Sequence, residues 1–318
     1  MVKRLFTLPS ATDRQRLAQL AERLSRPLGV LLSLVLLVVV LRQAREADWS
    51  VLARSTGLTA AFWTTLAAYY LLSPLAEWAI YTRLWGFDPK AFPALLRKLV
   101  CNELLLDYLG DVQFLAWART HHAGAVAPFA AVKDVTVLSA LTGNLVTLVL
   151  AVLAWPLVGS SLSSVSLKTI VISLCVVVAG SSLVLLLGKR IFSHPPRTLL
   201  WIAAVLVLRT LGGLALAAVL WHLLMPASAL SQLFLLATLR MVVSRLPLIP
   251  SKELLFAGLA VMVFGRTADI SEASAIIATL VLLIHIVVGA VLTAVHLGLA
   301  PARAANARGN GAPPDPGG

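Results

Sequence analysis

The sequence is short of charge, short of cysteine, and without any of the short signatures that mark common enzymes. Only 13% of its 318 residues are Asp, Glu, Lys or Arg, against roughly 25% in a soluble domain. That shortage excludes an ordinary water-soluble fold, and 59% hydrophobic residues take the place of the missing charge. Acids are scarcer still, with 14 against 26 Lys and Arg, for a net charge of +12. In a soluble chain this excess would point to nucleic acid, but no basic stripe with interleaved aromatics is present. Basic loops beside an anionic membrane surface account for it instead, so nucleic acid is not an expected partner. Cys101 and Cys175 both lie in apolar segments and supply neither a disulfide framework nor metal-ligand spacing. G-x-S-x-G, HExxH, Walker and dinucleotide fingerprints are absent. No cofactor is expected, and the chain reads as transporter-like rather than as an enzyme. Residues 1–26 are polar up to Pro27, and no small-residue cleavage site follows the first apolar run, so no cleavable signal is expected.

What is present is a series of long apolar runs. Six of them, 27–42, 58–81, 129–156, 167–188, 198–222 and 274–298, read as spanning helices. Two further segments do not read as single spans. One is 91–118, which contains "CNELLLDYLGDVQF". The other is 229–264, interrupted at "RLPLIPSKE", where Pro247 and Pro250 remove backbone donors and bar a continuous helix. The expected fold is therefore all-α and polytopic, with about six full spans plus two re-entrant helical hairpins of opposite insertion. Three parts are expected along the chain. Residues 1–26 form an amphipathic segment on the cytoplasmic membrane surface, with Leu17, Leu20, Ala21 and Leu24 on one face. Residues 27–300 form the transmembrane domain, and 301–318 a Pro/Gly-rich disordered cytoplasmic tail.

Charge tests this topology. With the N-terminus inside and both awkward segments returning to their side of entry, 17 Lys and Arg fall inside and 5 outside. The other four of the 26 lie within apolar segments. This bias fits the positive-inside rule. Counting 91–118 as a full span would turn Lys189, Arg190 and Arg197 outward and spoil it. Two broken segments entering from opposite sides point to a transport site, because non-helical backbone at membrane depth must be buried in protein or line a watery cavity.

Ionisable residues in or beside apolar segments need an explanation, since each costs about 2.5–3.5 kcal/mol at membrane depth. Glu103, Asp107 and Asp111 are spaced four apart and would fall near one helical face. Three readings stay open for them: hydrated acids paired with Arg97, Lys98 and Arg119; the polar lining of a headgroup path; or a metal site. Gly110 is a plausible turn point. Around the second break, Arg240, Arg245 and Lys252 suit phosphate capture, and the alternative is internal pairing with Glu253 or with the acids of the first hairpin. Arg209 lies in mid-span and requires a partner, for which Glu77 is a candidate. His222 and His285 read as packing residues, and the paired His121 and His122 are weak evidence for a metal. The eight tryptophans fall mostly near span ends, as an interfacial belt.

"DYLGDVQFLAWAR" faintly resembles membrane enzymes that transfer a phosphoalcohol from a nucleotide-activated lipid, but its spacing fails: the glycine does not directly follow the first aspartate, and a later pair of aspartates four apart is missing. Two longer stretches, "CNELLLDYLGDVQFLAWARTHHAGAVAPFAAVKDVTVLSAL" and "LPLIPSKELLFAGLAVMVFG", resemble the flippase-type transmembrane region of lysylphosphatidylglycerol synthases and of stand-alone bacterial membrane proteins. Asn102, Gly110–Asp111, Lys133–Asp134, Pro247, Pro250 and Glu253 occupy the matching places. The family's proline in the first hairpin is absent here, and Ser251–Lys252 replaces the glycines of the second turn. The resemblance covers about 28–298 and omits the aminoacyl-transferase domain, so lysyl transfer is not expected from it. It implies two re-entrant hairpins in a helical bundle of the bacterial inner membrane, with both termini cytoplasmic. It also implies translocation of a lipid or lipid-linked intermediate in cell-envelope biogenesis. On this reading the partners are membrane lipids with an anionic or phosphate-bearing headgroup, and an envelope-biosynthesis enzyme. Glu103, Asp107, Asp111, Arg240, Arg245, Lys252 and Glu253 would line the path, with Gly110, Pro247 and Pro250 at the turns. The alternative is a non-transport accessory that scaffolds a lipid or glycan biosynthesis enzyme through its N-terminal helix.

Overall fold

The computed structural model describes residues 38, 58–105, 108–121, 128–158, 164–245, 256, 259–261 and 268–309. Among these the chain is helical, and no strand occurs. The helices are α1 (Ala60–Trp85), α2 (Phe92–Leu104), α3 (Leu109–His121), α4 (Pro128–Val158), α5 (Ser164–Leu186), the single turn α6 (Gly188–Ile191), α7 (Pro196–Leu224), α8 (Leu230–Arg245) and α9 (Ala268–Gly309). A 3₁₀ turn, Pro89–Ala91, links α1 to α2.

Among the described residues, three helices are long and apolar enough to cross a membrane: Pro128–Pro156, Pro196–Leu224 and Glu272–Val295. These do not confirm the predicted count of about six. Helix α1 has the length, at 26 residues, but carries Glu77 and Arg83 among its threonines and tyrosines. Helix α5 contributes the shorter apolar stretch Val171–Leu186. The predicted first span, 27–42, and the amphipathic 1–26 segment lie outside the described residues, apart from Val38. On the long helices, Leu200, Leu208, Val152 and Leu153 stand exposed. So much outward apolar surface suits hydrocarbon and not water.

The chain divides into two compact units. One comprises 1–46, 96–123 and 284–318, and the other 47–95 and 124–283. The predicted transmembrane domain over 27–300 has residues in both units.

In the larger unit, α7 is the central helix: it packs against α1, α4 and α8, and α8 also packs against α4. Its small residues allow this. Gly212 and Gly213 take the side chain of Leu72, whose Cδ2 would be 3.4 Å from a Cβ on Gly212. Arg83 stacks over Trp201 at 4.5 Å. Since Leu72 meets Gly212 while Arg83 meets Trp201, α1 and α7 run antiparallel. Farther along, Leu214, Ala218 and Trp221 of α7 join Leu233, Leu236 and Ala237 of α8, with Ile270 and Ala273 of α9, in one buried cluster.

The helix ends are held by specific contacts. Thr59 Oγ1 accepts from Phe62 N at the start of α1, and Gly86, with φ 65°, closes its end in the left-handed conformation. Asp134 of α4 is fully buried and fastens the link before α7: its carboxylate accepts from the backbone N–H of Ser193 (2.9 Å) and His194 (3.0 Å), and lies 2.7 Å from His194 Nδ1. Lys133 Nζ donates to the Ile191 carbonyl and to Ser193 Oγ, and lies 3.4 Å from Asp134 Oδ1. The charged pair near the start of α4 is therefore a structural clamp on the α6–α7 link. The predicted disordered tail from 301 begins instead as helix, since α9 continues to Gly309. Its alanine-rich stretch "ARAANA" is strongly helix-favouring.

Candidate functional site

Two polar centres stand out, one in each unit. The first is the α2–α3 hairpin. Both arms have 13 residues, about 20 Å of helix at 1.5 Å per residue. Neither arm can cross a hydrocarbon layer of about 30 Å. The chain reverses between α2 and α3, and Tyr108 takes φ 69°, an uncommon and strained conformation for a residue with a side chain.

Asp111 locks the reversal. It forms an ion pair with Lys98 at 3.0 Å and accepts from Asn102 Nδ2 at 3.0 Å, while Asn102 Oδ1 accepts from Gly110 N at 2.6 Å. Asn102 thus satisfies a backbone donor in the first turn of α3, which has no partner within its own helix. Lys98, at 6% exposure, also lies 5.7 Å from the ring of Phe114. Cys101 Sγ and Gln113 Oε1 lie 3.2 Å apart across the two arms. Gly110 is buried where the arms cross; a Cβ there would sit 2.1 Å from the backbone oxygen of Lys98.

These contacts correct two expectations. The acids do not share one helical face, because α2 ends at Leu104 and Asp111 belongs to the next helix. Gly110 is not the turn; it is the crossing point, and the turn precedes it. Glu103 is exposed, and Asp107 lies outside the described residues. For Asp111 the internal pairing with Lys98 is the one observed. Among the described residues no group of three His, Cys, Asp or Glu side chains is placed to hold a metal ion.

The second centre belongs to the larger unit and draws one residue or more from each of four helices; Glu77, Ser139 and Arg209 are half-buried, and Arg245 is exposed. Arg209, near the middle of α7, is on the same stripe as buried Ile202 and Leu206. Its Nη2 donates to Ser139 Oγ of α4 at 2.8 Å, and its Nη1 is 3.9 Å from Glu77 Oε1 of α1. The expected partner Glu77 is therefore present, at the outer edge of ion-pair range. One turn beyond Ser139, the guanidinium of Arg245, from the last turn of α8, lies against Gly143: a Cβ on Gly143 would be 2.6 Å from its Nη2 and 2.9 Å from its Cζ. Two guanidinium groups thus meet the same face of α4, and their charges oppose each other.

The surface beneath them is small and already satisfied. Thr142 Oγ1 donates to the Leu138 carbonyl at 2.7 Å, and Thr147 Oγ1 to the Gly143 carbonyl at 2.8 Å. Those hydroxyls turn back on their own helix. Arg245 has no carboxylate within ion-pair distance among the described residues.

Arg240 belongs elsewhere. Five residues before Arg245, it is turned about 140° around α8, and it lies 6.0 Å from the ring of Trp221 and 5.6 Å from that of Phe256. Lys252, Glu253, Pro247 and Pro250 lie outside the described residues. Of the predicted phosphate-binding arginines, Arg245 reaches the centre and Arg240 does not. Ser139 and Gly143 were missed in the sequence, although "SALTGN" places small residues one turn apart, a pattern that lets helices approach closely in membranes. His222 is satisfied locally, 3.0 Å from the Ser228 carbonyl. Comparison of the chain with protein-family models, with curated proteins and with solved structures returned no match.

Proposed function

We propose that this multi-pass membrane protein translocates a lipid, or a lipid-linked intermediate, through recognition of a phosphate-bearing headgroup. The observation that carries the reading is that half-buried Arg209 and exposed Arg245 reach Ser139 and Gly143 on one face of the apolar helix α4. Charged residues among membrane helices are costly and rare, and they mark substrate or ion pathways. Guanidinium groups are the side chains best shaped to hold phosphate oxygens. The sequence resemblance to flippase-type regions supports the same reading. So does the short-armed α2–α3 hairpin, which on this reading enters the membrane and returns. The distribution of Lys and Arg supports cytoplasmic termini in a bacterial inner membrane, where the cargo would serve envelope biogenesis. With no Walker motif in these residues, movement is read as passive scrambling or as coupling to an ion gradient.

The test is reconstitution into liposomes with a labelled phospholipid or lipid-linked sugar. Lipid movement should be slowed about tenfold or more by Arg245→Gln or Arg209→Gln, the order expected when a hydrogen bond to a charged group is lost. A wild-type protein that moves neither cargo would sink the transport reading for those lipids. Movement unaffected by both substitutions would favour the accessory role.

A further inference from the structure

The outward face of α7 changes character along its length. Arg197, Trp201, Ala204, Leu208 and Leu211 follow one another at steps of three and four, so they share one stripe of the helix. Trp201 is half-buried and the other four are exposed. This helix is long and apolar enough to cross a membrane, and it begins at Pro196. Arg197 and Trp201 therefore stand at the headgroup level of one leaflet, and the apolar part of the stripe faces acyl chains.

Helix α1 brings a second cation to the same place. It runs antiparallel to α7, so its last turn reaches the start of α7, and exposed Arg83 lies 4.5 Å over the Trp201 ring. Contact with the ring restrains the guanidinium and leaves the N–H donors on its edge for an anion. Among the described residues, neither Arg83 nor Arg197 has a carboxylate within ion-pair distance. At this end of the unit, Asp134 is held by the N–H groups of Ser193 and His194, and Asp88 accepts from Lys90 N. Two arginines around one tryptophan, at the head of an exposed apolar stripe, match the parts of an anionic phospholipid.

We infer that this end of the α1–α7 pair binds an anionic phospholipid of the surrounding bilayer, with its phosphate between Arg83 and Arg197 and an acyl chain along Ala204, Leu208 and Leu211. This lipid resides at the rim of the protein and is not the translocated cargo, so the inference needs the membrane setting and not the transport reading. Inorganic phosphate would meet the arginines without the stripe. A zwitterionic phospholipid would meet the stripe but bring its own cation to the arginines.

The experiment is a binding titration of the full chain in maltoside micelles, which contain no phosphate, at fixed pH and salt. The probes are phosphatidylglycerol, phosphatidylcholine, the deacylated headgroup glycerophosphoglycerol and inorganic phosphate. Wild type should bind phosphatidylglycerol about tenfold tighter than phosphatidylcholine, and Arg83→Gln or Arg197→Gln should each remove about tenfold. Trp201→Leu keeps both charges but takes the ring from beneath Arg83, and should weaken phosphatidylglycerol about threefold. Arg190→Gln, at an exposed arginine of α6, should change it by less than about twofold. Equal binding of the two lipids overturns the proposal, as does phosphatidylglycerol binding unmoved by Arg83→Gln, Arg197→Gln and Trp201→Leu. A loss from Arg190→Gln as large as that from Arg83→Gln shows diffuse attraction by surface charge and overturns the site. Glycerophosphoglycerol or inorganic phosphate bound as tightly as phosphatidylglycerol overturns the lipid as occupant. Selective phosphatidylglycerol binding by a protein that moves no lipid in liposomes supports the site and overturns only translocation.

Discussion

Gly110 and Gly143 are both buried helical glycines at which a side chain would collide with a neighbour, yet they do opposite things. At Gly110 the obstacle is the backbone oxygen of Lys98, at 2.1 Å from a notional Cβ. At Gly143 it is the end of the Arg245 side chain, at 2.6 Å. A backbone oxygen moves only if its helix moves, so Gly110 fixes the geometry of the hairpin. A guanidinium on a flexible stem can swing away, so Gly143 only makes room for a charged group. The charges around the two glycines differ in the same sense. In the hairpin, Asp111 is matched by Lys98 and Asn102. In the four-helix centre, two guanidinium groups reach one face of α4 at Ser139 and Gly143.

Four single substitutions and one double variant sharpen this contrast, in order of expected effect. Asp111→Ala strands Lys98, at 6% exposure, without its carboxylate, and should cost about 3–5 kcal/mol, the range for breaking a buried pair from one side. Thermal unfolding in detergent measures it. The double variant Lys98→Met, Asp111→Leu should recover most of the loss; if it melts as low as the single variant, the pair is not what locks the hairpin. Next, Gly110→Ala should destabilise by about 1–3 kcal/mol through the clash with backbone. Gly143→Ala, by contrast, should melt no lower than wild type, since alanine favours helix by up to about 1 kcal/mol. Equal melting temperatures for the two variants would remove the distinction drawn between the glycines. The smallest effect is expected at Tyr108, whose φ of 69° favours glycine. Tyr108→Gly should raise stability by about 1 kcal/mol, the cost of a left-handed backbone at a residue with a Cβ, less the chain entropy that glycine adds to the unfolded state. A lower melting temperature would show that the tyrosine ring holds the turn by contacts worth more than the strain.

The helices themselves were legible. Helices α4, α7 and α9 coincide with long apolar runs, because a segment in hydrocarbon must satisfy its backbone hydrogen bonds within itself. The reversal in 91–118 was legible through the charge distribution, but its location was not. Gly110 looked like the turn because glycine is permissive, whereas it lies inside α3 and serves for contact. The three acids looked like one face because even spacing was read onto a continuous helix. Once α2 ends at Leu104, the spacing no longer carries a direction.

The candidate site divides the same way. Arg209 announced itself as an ionisable residue in mid-span, and Glu77 was a nameable partner. Nothing local to Arg245 indicated that it, and not Arg240, would reach the same face of α4 as Arg209. Five residues on one helix separate those two arginines, and packing against Gly143 or against the rings of Trp221 and Phe256 decides which is used.

By itself, the sequence determined an all-helical membrane protein with charged residues it could not hide. Composition and run length suffice for that, since the solvent imposes the same rule on every apolar segment. Only the tertiary structure decided which charges are neutralised and which are left facing one another. That outcome depends on the rotation of α1, α4, α7 and α8 about their axes, set by side-chain contacts between segments far apart in the chain.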